Sequence, residues 1–184
     1  MNWPSVTTIL KDMGISRVYE SQAMVDGARR GRLVHAAGHL IGNGKTIDPA
    51  WSDRHPEVTP YIAGIEAFLD HHDFKLNACE SEVKNDAERY VGHIDWLGVL
   101  DGVPCIIDLK TGPMPPWAPL QLGGYLYGLR AMGLDKSHMM IRVGLELPGN
   151  ERFKVHYFTD PRELSEFAIL ARAWWVRAKF GAVE

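Results

Sequence analysis

Two short segments concentrate the side chains best suited to chemistry. Val91-Gly92-His93-Ile94-Asp95 is followed, 13 positions after Asp95, by the Asp108 of Ile106-Ile107-Asp108-Leu109-Lys110-Thr111. Each aspartate is expected to end one of two adjacent strands. Because strand side chains alternate, Asp108 and Lys110 face one side and Leu109 the other, so a carboxylate and an ammonium share one pocket. Two carboxylates converging on one spot suit hard, oxygen-preferring cations such as Mg²⁺ or Mn²⁺, which keep several waters and take phosphate oxygens as further ligands. A lysine beside such an ion can position or deprotonate the attacking water and offset charge in the transition state, as phosphodiester hydrolysis demands. An Asp–Lys ion pair on a sheet surface satisfies the same pattern without catalysis, because such pairs are common and weak.

His35 lies in a helical stretch, Gly31-Arg32-Leu33-Val34-His35, with Gly31 one turn earlier on the same face, where a partner backbone could approach. A neutral imidazole there could complete a metal shell, although a lone helical histidine is more often structural or exposed. Gln121-Leu122-Gly123-Gly124-Tyr125 sets Gln121 and Tyr125 four apart on one helical face. An amide and a phenol so placed could grip a nucleic-acid backbone; otherwise Tyr125 is a core aromatic and Gln121 a solvated residue. Gly123, Gly124 and Gly128 are costly inside a helix, so the sheet or a ligand must come close. Trp51 and Trp117 could stack on bases or fill the core, and the core is favoured for Trp51.

Other motifs fail. His35 and His39 have the spacing of a zinc-protease helix, but Ala36 stands where the glutamate base is required. Gly44-Lys45-Thr46 lacks the phosphate-loop glycine five positions earlier, which here is His39, and no strand precedes it. His71-His72 has no matching ligand spacing and is expected at the surface.

The elements that must position these groups can be read from periodicity and punctuation. A short helix from Val6 to Leu10, capped by Ser5 and ended by Gly14, precedes a longer one from about Ser21 to Ile41. After Gly42-Asn43-Gly44 and a loop rich in Asp, Pro and Trp, helical spacing returns from Pro56 to Asp70 through Val58, Ile62, Ile65 and Leu69. Three strands are expected at Ala78 to Lys84, Arg89 to Leu100 and Val103 to Leu109, with Asn85-Asp86 and Asp101-Gly102 as turns. A helix from Leu120 to Met132, strands from His138 to Glu146 and Arg152 to Phe158, and a last helix through Leu164, Phe167, Ala171 and Trp174 complete the order. That order argues for an α/β (α+β) fold, a central mixed sheet flanked by helices.

The 184 residues suffice for one domain, 1–184, with a helical part over 1–75 and the sheet core over 76–184. With 46% hydrophobic and 23% charged residues, disordered, collagen-like and low-complexity classes are excluded. A net charge of −3 excludes binding a polyphosphate through bulk charge, so any nucleic-acid site must be local. Cys79 and Cys105 are too few for a disulfide framework or a four-thiolate cluster and are expected as buried free thiols. The N-terminus lacks the features of a signal peptide and no long apolar run appears, so a soluble, cytoplasmic protein without a membrane partner is expected.

Gly31-x-x-x-His35, Gly92-His93-Ile94-Asp95, Asp108-Leu109-Lys110-Thr111-Gly112 and Gln121-x-x-x-Tyr125, in this order and over about half the chain, resemble the motifs of the PD-(D/E)XK nuclease superfamily, specifically its RecB-like exonuclease branch. The resemblance implies a restriction-endonuclease-like core and a metal-dependent deoxyribonuclease. It makes Asp95, Asp108 and Lys110 the catalytic residues. His35, Asp95, Asp108 and the Leu109 carbonyl become ligands of Mg²⁺ or Mn²⁺, and Gln121 with Tyr125 the DNA-facing pair. Asp108 stands where many members have Glu, and Glu82 matches an acidic position on the first strand of relatives. Without four cysteines or the length of a helicase fusion, the chain looks like a stand-alone exonuclease of the phage or mitochondrial genome-maintenance kind. Its implied partners are DNA ends or single strands and a recombination protein, in recombination, repair or phage DNA processing. Arg29, Arg30, Arg32 and Lys84 could contact phosphates or simply form a solvated face. The alternatives are a nucleic-acid-binding protein that keeps the fold without catalysis, and a restriction-type endonuclease.

Overall fold

The computed structural model describes residues 3–16, 22–181 and 183. Helix α1 (Val6–Asp12) starts where Ser5 caps it, the hydroxyl accepting the Thr8 N–H at 3.0 Å. Helix α2 (Gln22–Gly42) follows; the expected start at Ser21 lies outside the described residues. The stretch read as an Asp-, Pro- and Trp-rich loop contains a short helix, α3 (Pro49–Arg54). It forms because the Asp48 carboxylate accepts the Ala50 N–H at 2.9 Å and Pro49 presets the first turn. Helix α4 is Thr59–His71.

Strands β1 (Phe74–Asn85), β2 (Tyr90–Leu100) and β3 (Val103–Lys110) form an antiparallel meander. The β2–β3 turn has φ of +49° at Asp101 and +84° at Gly102, the pattern an Asp-Gly hairpin favours. Helix α5 (Ala118–Ala131) crosses over to β4 (Ile141–Glu146), which pairs with β3 in parallel; β5 (Lys154–Phe158) and α6 (Arg162–Lys179) follow. Strand β4 begins three residues later than expected because the preceding turn is folded around Asp135, whose carboxylate takes the Arg130 Nε–H and the Met140 N–H.

The sheet runs β1-β2-β3-β4-β5, mixed and covered on both faces. One face packs on α1, α5 and α6 around Ile9, Tyr90, Ile106, Leu122 and Phe167, and the other on α2 and α4 around Val34, Ile65, Phe68, Trp96 and Ile107. Alternation along β3 sends Ile106 to the first core and Cys105, Ile107 and Leu109 to the second, so every residue from Cys105 to Leu109 is buried. Within α5 the glycines admit protein, not a ligand. A Cβ on Gly124 would meet the Phe167 ring of α6 at 2.9 Å, and one on Gly128 would meet Val83 of the sheet at 3.3 Å. Trp51 packs half-buried against the second core, Cys105 is buried, and Cys79 is only partly so. No helix among the described residues is long and apolar enough to cross a membrane.

Candidate active site

The site forms where the β2–β3 ladder ends. Backbone pairing between the two strands stops at Trp96–Ile107, and beyond it the Asp95 Oδ2 accepts the Leu109 N–H at 2.7 Å. Asp95 therefore closes the ladder without ending its strand. It is interior to β2, which continues to pair with β1 back to Tyr90, so the expected position at a strand end is corrected.

Across from Asp95, β1 is irregular. The register shifts between Leu76 and Ala78, and Glu80, between the pairs Cys79–Trp96 and Ser81–Ile94, has a φ of +49°. This left-handed backbone turns the Glu80 carboxylate toward α2. Donor atoms of His35, Glu80 and Asp95 lie within 4.8 Å of one another, the arrangement among the described residues able to hold a metal ion. Glu82, singled out from the sequence, is exposed and sits 3.9 Å from His93.

His35, on the inner face of α2, has Nδ1 3.2 Å from Asp95 Oδ1 and Nε2 3.0 Å from the Leu109 carbonyl oxygen. Burial disfavours the charged ring, but the Asp95 carboxylate, helped by Asp108, outweighs it and lifts the imidazole to about 9. A Cβ on Gly31 would find only Thr111 Oγ1, at 3.6 Å, so no backbone approach requires that glycine.

Asp108 and Lys110 share a side, as alternation predicts, with Lys110 Nζ 2.6 Å from Asp108 Oδ2. That oxygen is buried, and the ammonium is the counter-charge beside it. Burial pushes the Asp108 carboxyl up and the Asp95 charge adds to the push, while Lys110 opposes it. Lys110 donates to Gln121 Oε1 at 3.0 Å, and Gln121 Nε2 donates to the Tyr125 hydroxyl at 2.8 Å. Gln121 is 4% and Tyr125 5% exposed. The pair expected to face DNA is thus buried beneath the lysine.

The 111–117 segment linking β3 to α5 is anchored from β4. Glu146 accepts the Met114 N–H at 3.0 Å, Lys154 Nζ at 2.9 Å and a His156 Nε2 contact at 3.0 Å, and these donors hold its carboxyl below the usual range. Trp117, half-buried, has Lys110 Nζ 5.2 Å from its ring centroid. Two clefts meet over His35, one of 570 Å³ beside Lys110 and Trp117 and one of 560 Å³ beside Arg32, His39 and Glu80. Of the other basic residues named from the sequence, Arg29 pairs with Glu57, Lys84 with Asp86, and the Arg30 guanidinium lies over the Tyr61 ring. His72 is bound to Asp101 at 2.8 Å.

No protein-family model matches the chain, and no curated protein does. Among solved structures it is similar to a presumed exonuclease from Eubacterium rectale, with a TM-score of 0.55 at 13% identity, over 100% of this chain and 83% of that one. Two structures of the alkaline exonuclease LHK-Exo from Laribacter hongkongensis align at TM-scores of 0.47 and, in complex with dAMP, 0.45. Their identities are 11% and 10%, over 97% and 98% of this chain and 88% and 89% of the others.

Proposed function

We propose that this chain, which carries the PD-(D/E)XK nuclease fold, is a single-domain, metal-dependent exonuclease that hydrolyses phosphodiester bonds in DNA. The observation that carries the reading is the contact chain running from His35 through Asp95 and the Leu109 backbone to Asp108 and Lys110. It brings a histidine, two aspartates and a lysine, drawn from three elements, to the end of one ladder.

The donor set fits a hard divalent cation. Oxygen predominates, and the donor atoms of His35, Glu80 and Asp95 already lie within 4.8 Å of one another. His35, Glu80, Asp95, Asp108 and the Leu109 carbonyl would hold Mg²⁺ or Mn²⁺, which when bound polarises a phosphoryl oxygen and acidifies water. Lys110 is placed to orient the attacking water and offset the growing negative charge. Gln121 and Tyr125 act on Lys110 rather than on DNA, because both are buried, with Gln121 accepting from its amine and Tyr125 holding Gln121. Arg32, in the second cleft, is the nearer candidate for a phosphate contact. We assign the activity to cytoplasmic DNA recombination, repair or phage DNA processing.

The test is degradation of linear DNA by the purified protein with Mg²⁺ or Mn²⁺ and its loss with chelator. Lys110→Ala should keep the circular-dichroism spectrum and melting temperature of a folded protein while hydrolysis disappears. Cleavage surviving in that variant overturns the assignment. Binding without hydrolysis in either ion replaces it with the non-catalytic role.

A further inference from the structure

The two clefts that meet over His35 differ in chemistry. The one beside Glu80 carries the charged Arg32 and the imidazole of His39. The other, 570 Å³ between the N-terminal half of α2 and the 111–117 segment, is lined by Lys110, His35 and Thr111 and otherwise presents apolar or backbone surface. Ala28 and Gly31 line it from α2 and Gly112 and Pro115 from the 111–117 segment, and its one aromatic besides His35 is Trp117. Away from Lys110, His35 and Thr111 such a slot offers nothing to a phosphate. It offers an indole to a flat, uncharged ring, and its volume is within the range of pockets that enclose one small ligand.

We propose that this slot seats the terminal base of the substrate strand against Trp117, and that the substrate is accordingly single-stranded at its end. The proposal rests on the nuclease reading above. An internal paired base shows a protein only its edges, and a terminal pair, though one face is open, is too broad for a slot sized for one small ring, so a base enters only after leaving its partner. The charged cleft then takes the backbone on the other side of the scissile phosphate. Glu146, by anchoring Met114, fixes the segment that carries Trp117.

The experiment uses the full chain with Mg²⁺ and internally labelled oligonucleotides, single-stranded or blunt duplex, whose terminal nucleotides are intact or abasic. Single strands should be hydrolysed about ten-fold faster than blunt duplexes or better, given the cost of extruding a paired base. Trp117→Ala should lower kcat/KM on intact single strands about 5- to 100-fold, the range of one base–aromatic stack. On abasic-ended strands its first turnover should match the wild type. Trp117→Phe, which keeps a ring, should retain most of the activity. Equal losses on intact and abasic ends would overturn the proposal by assigning Trp117 to Lys110 alone, and equal rates on duplex and single strand would overturn it as to substrate. A second readout needs no hydrolysis: with chelator present, single strands should quench tryptophan emission in the wild type and not in Trp117→Phe. If no oligonucleotide is cleaved in either ion, the nuclease reading fails, and this quench, present or absent, decides the slot on its own.

Discussion

Lys110 and Gln121 are joined by a hydrogen bond of 3.0 Å in which the side-chain oxygen of the amide must be the acceptor, because an ammonium only donates. That fixes which way the amide points. Its nitrogen then faces the Tyr125 hydroxyl, 2.8 Å away, and burial pushes that phenol well above its ordinary value, so it stays neutral. A four-residue spacing on α5 thereby becomes a rigid support for the amine at the end of β3. Asp108 lies on the other side of that amine, 2.6 Å from Nζ.

Removing the support should therefore act on turnover and not on binding. Gln121→Ala deletes a charge-assisted hydrogen bond worth about 1.5–3 kcal/mol, which corresponds to a roughly 10- to 150-fold fall in kcat. KM should stay near the wild-type value. Tyr125→Phe keeps the ring and loses only the outer bond, so its loss should be under about ten-fold. Steady-state kinetics on a defined oligonucleotide separate the cases. A raised KM with intact kcat would return the pair to direct DNA contact.

Glu80 combines a left-handed backbone with a carboxylate aimed at His35 and Asp95. That backbone costs a non-glycine residue about 1–2 kcal/mol. Glu80→Gly should thus be more stable than Glu80→Ala by about 1 kcal/mol, although glycine is the poorer strand residue elsewhere. Both variants lose a proposed ligand oxygen, and titration calorimetry with Mn²⁺ should show weaker binding in both. Chemical denaturation that ranks alanine above glycine would mean the strain is absent.

Glu80 also shows where legibility stopped. The Asn85-Asp86 turn was readable, and counting five residues back from Asn85 and five on from Tyr90 sets Glu80 opposite Asp95. That count was the available signal. Alternation alone puts Glu80 and Glu82 on one face, and only the positive φ at Glu80 separates them. Asp108 and Lys110 were legible because a regular strand obeys alternation, and His35 because helix spacing is equally regular. Gln121 and Tyr125 share one face of α5, as their spacing predicts. Their burial comes from the sheet, where Tyr125 packs against Gly92 of β2 and Gln121 lies under Lys110 of β3, tertiary contacts that no local pattern encodes. Helix α3 was hidden because Asp48 and Pro49 favour a loop and a helix start alike.

The His35 ring should make stability in chelator pH-dependent. Its folded pKa is raised from 6.5 to about 9 by Asp95 and Asp108 against the opposing effect of burial. A raised value means stabilisation fully present below about 6.5 and lost as pH climbs through about 9. For a ring that is partly solvent-accessible, the amount is about 1–3 kcal/mol. Thermal melts at pH 6 and pH 9.5, with His35→Gln as reference, isolate the imidazole from the other groups of the site, which both proteins share. The wild-type advantage should shrink at the higher pH; an advantage that grew with pH would reverse the sign and remove the imidazolium from the site.

Gly92 ties the Gly92–Asp95 motif to the Gln121–Tyr125 motif. A Cβ there would lie 2.7 Å from Tyr125 Cε1 and 3.1 Å from Val6, so the strand can approach α5 only with hydrogen at that position. The Tyr125 ring is buried and cannot swing aside into solvent. Gly92→Ala should accordingly overpack the core at a cost of about 1–3 kcal/mol, lowering the melting temperature by roughly 2–4 °C per kcal/mol in a chain of this size. Because the displaced group is the one that orients Gln121, kcat should fall along with stability, although Gly92 touches neither Lys110 nor the metal ligands. Activity measured well below the melting temperature distinguishes this from simple unfolding. A variant that melts early yet turns over at the wild-type rate would show that Tyr125 shifts without moving the amide, and that Lys110 is held by Asp108 alone.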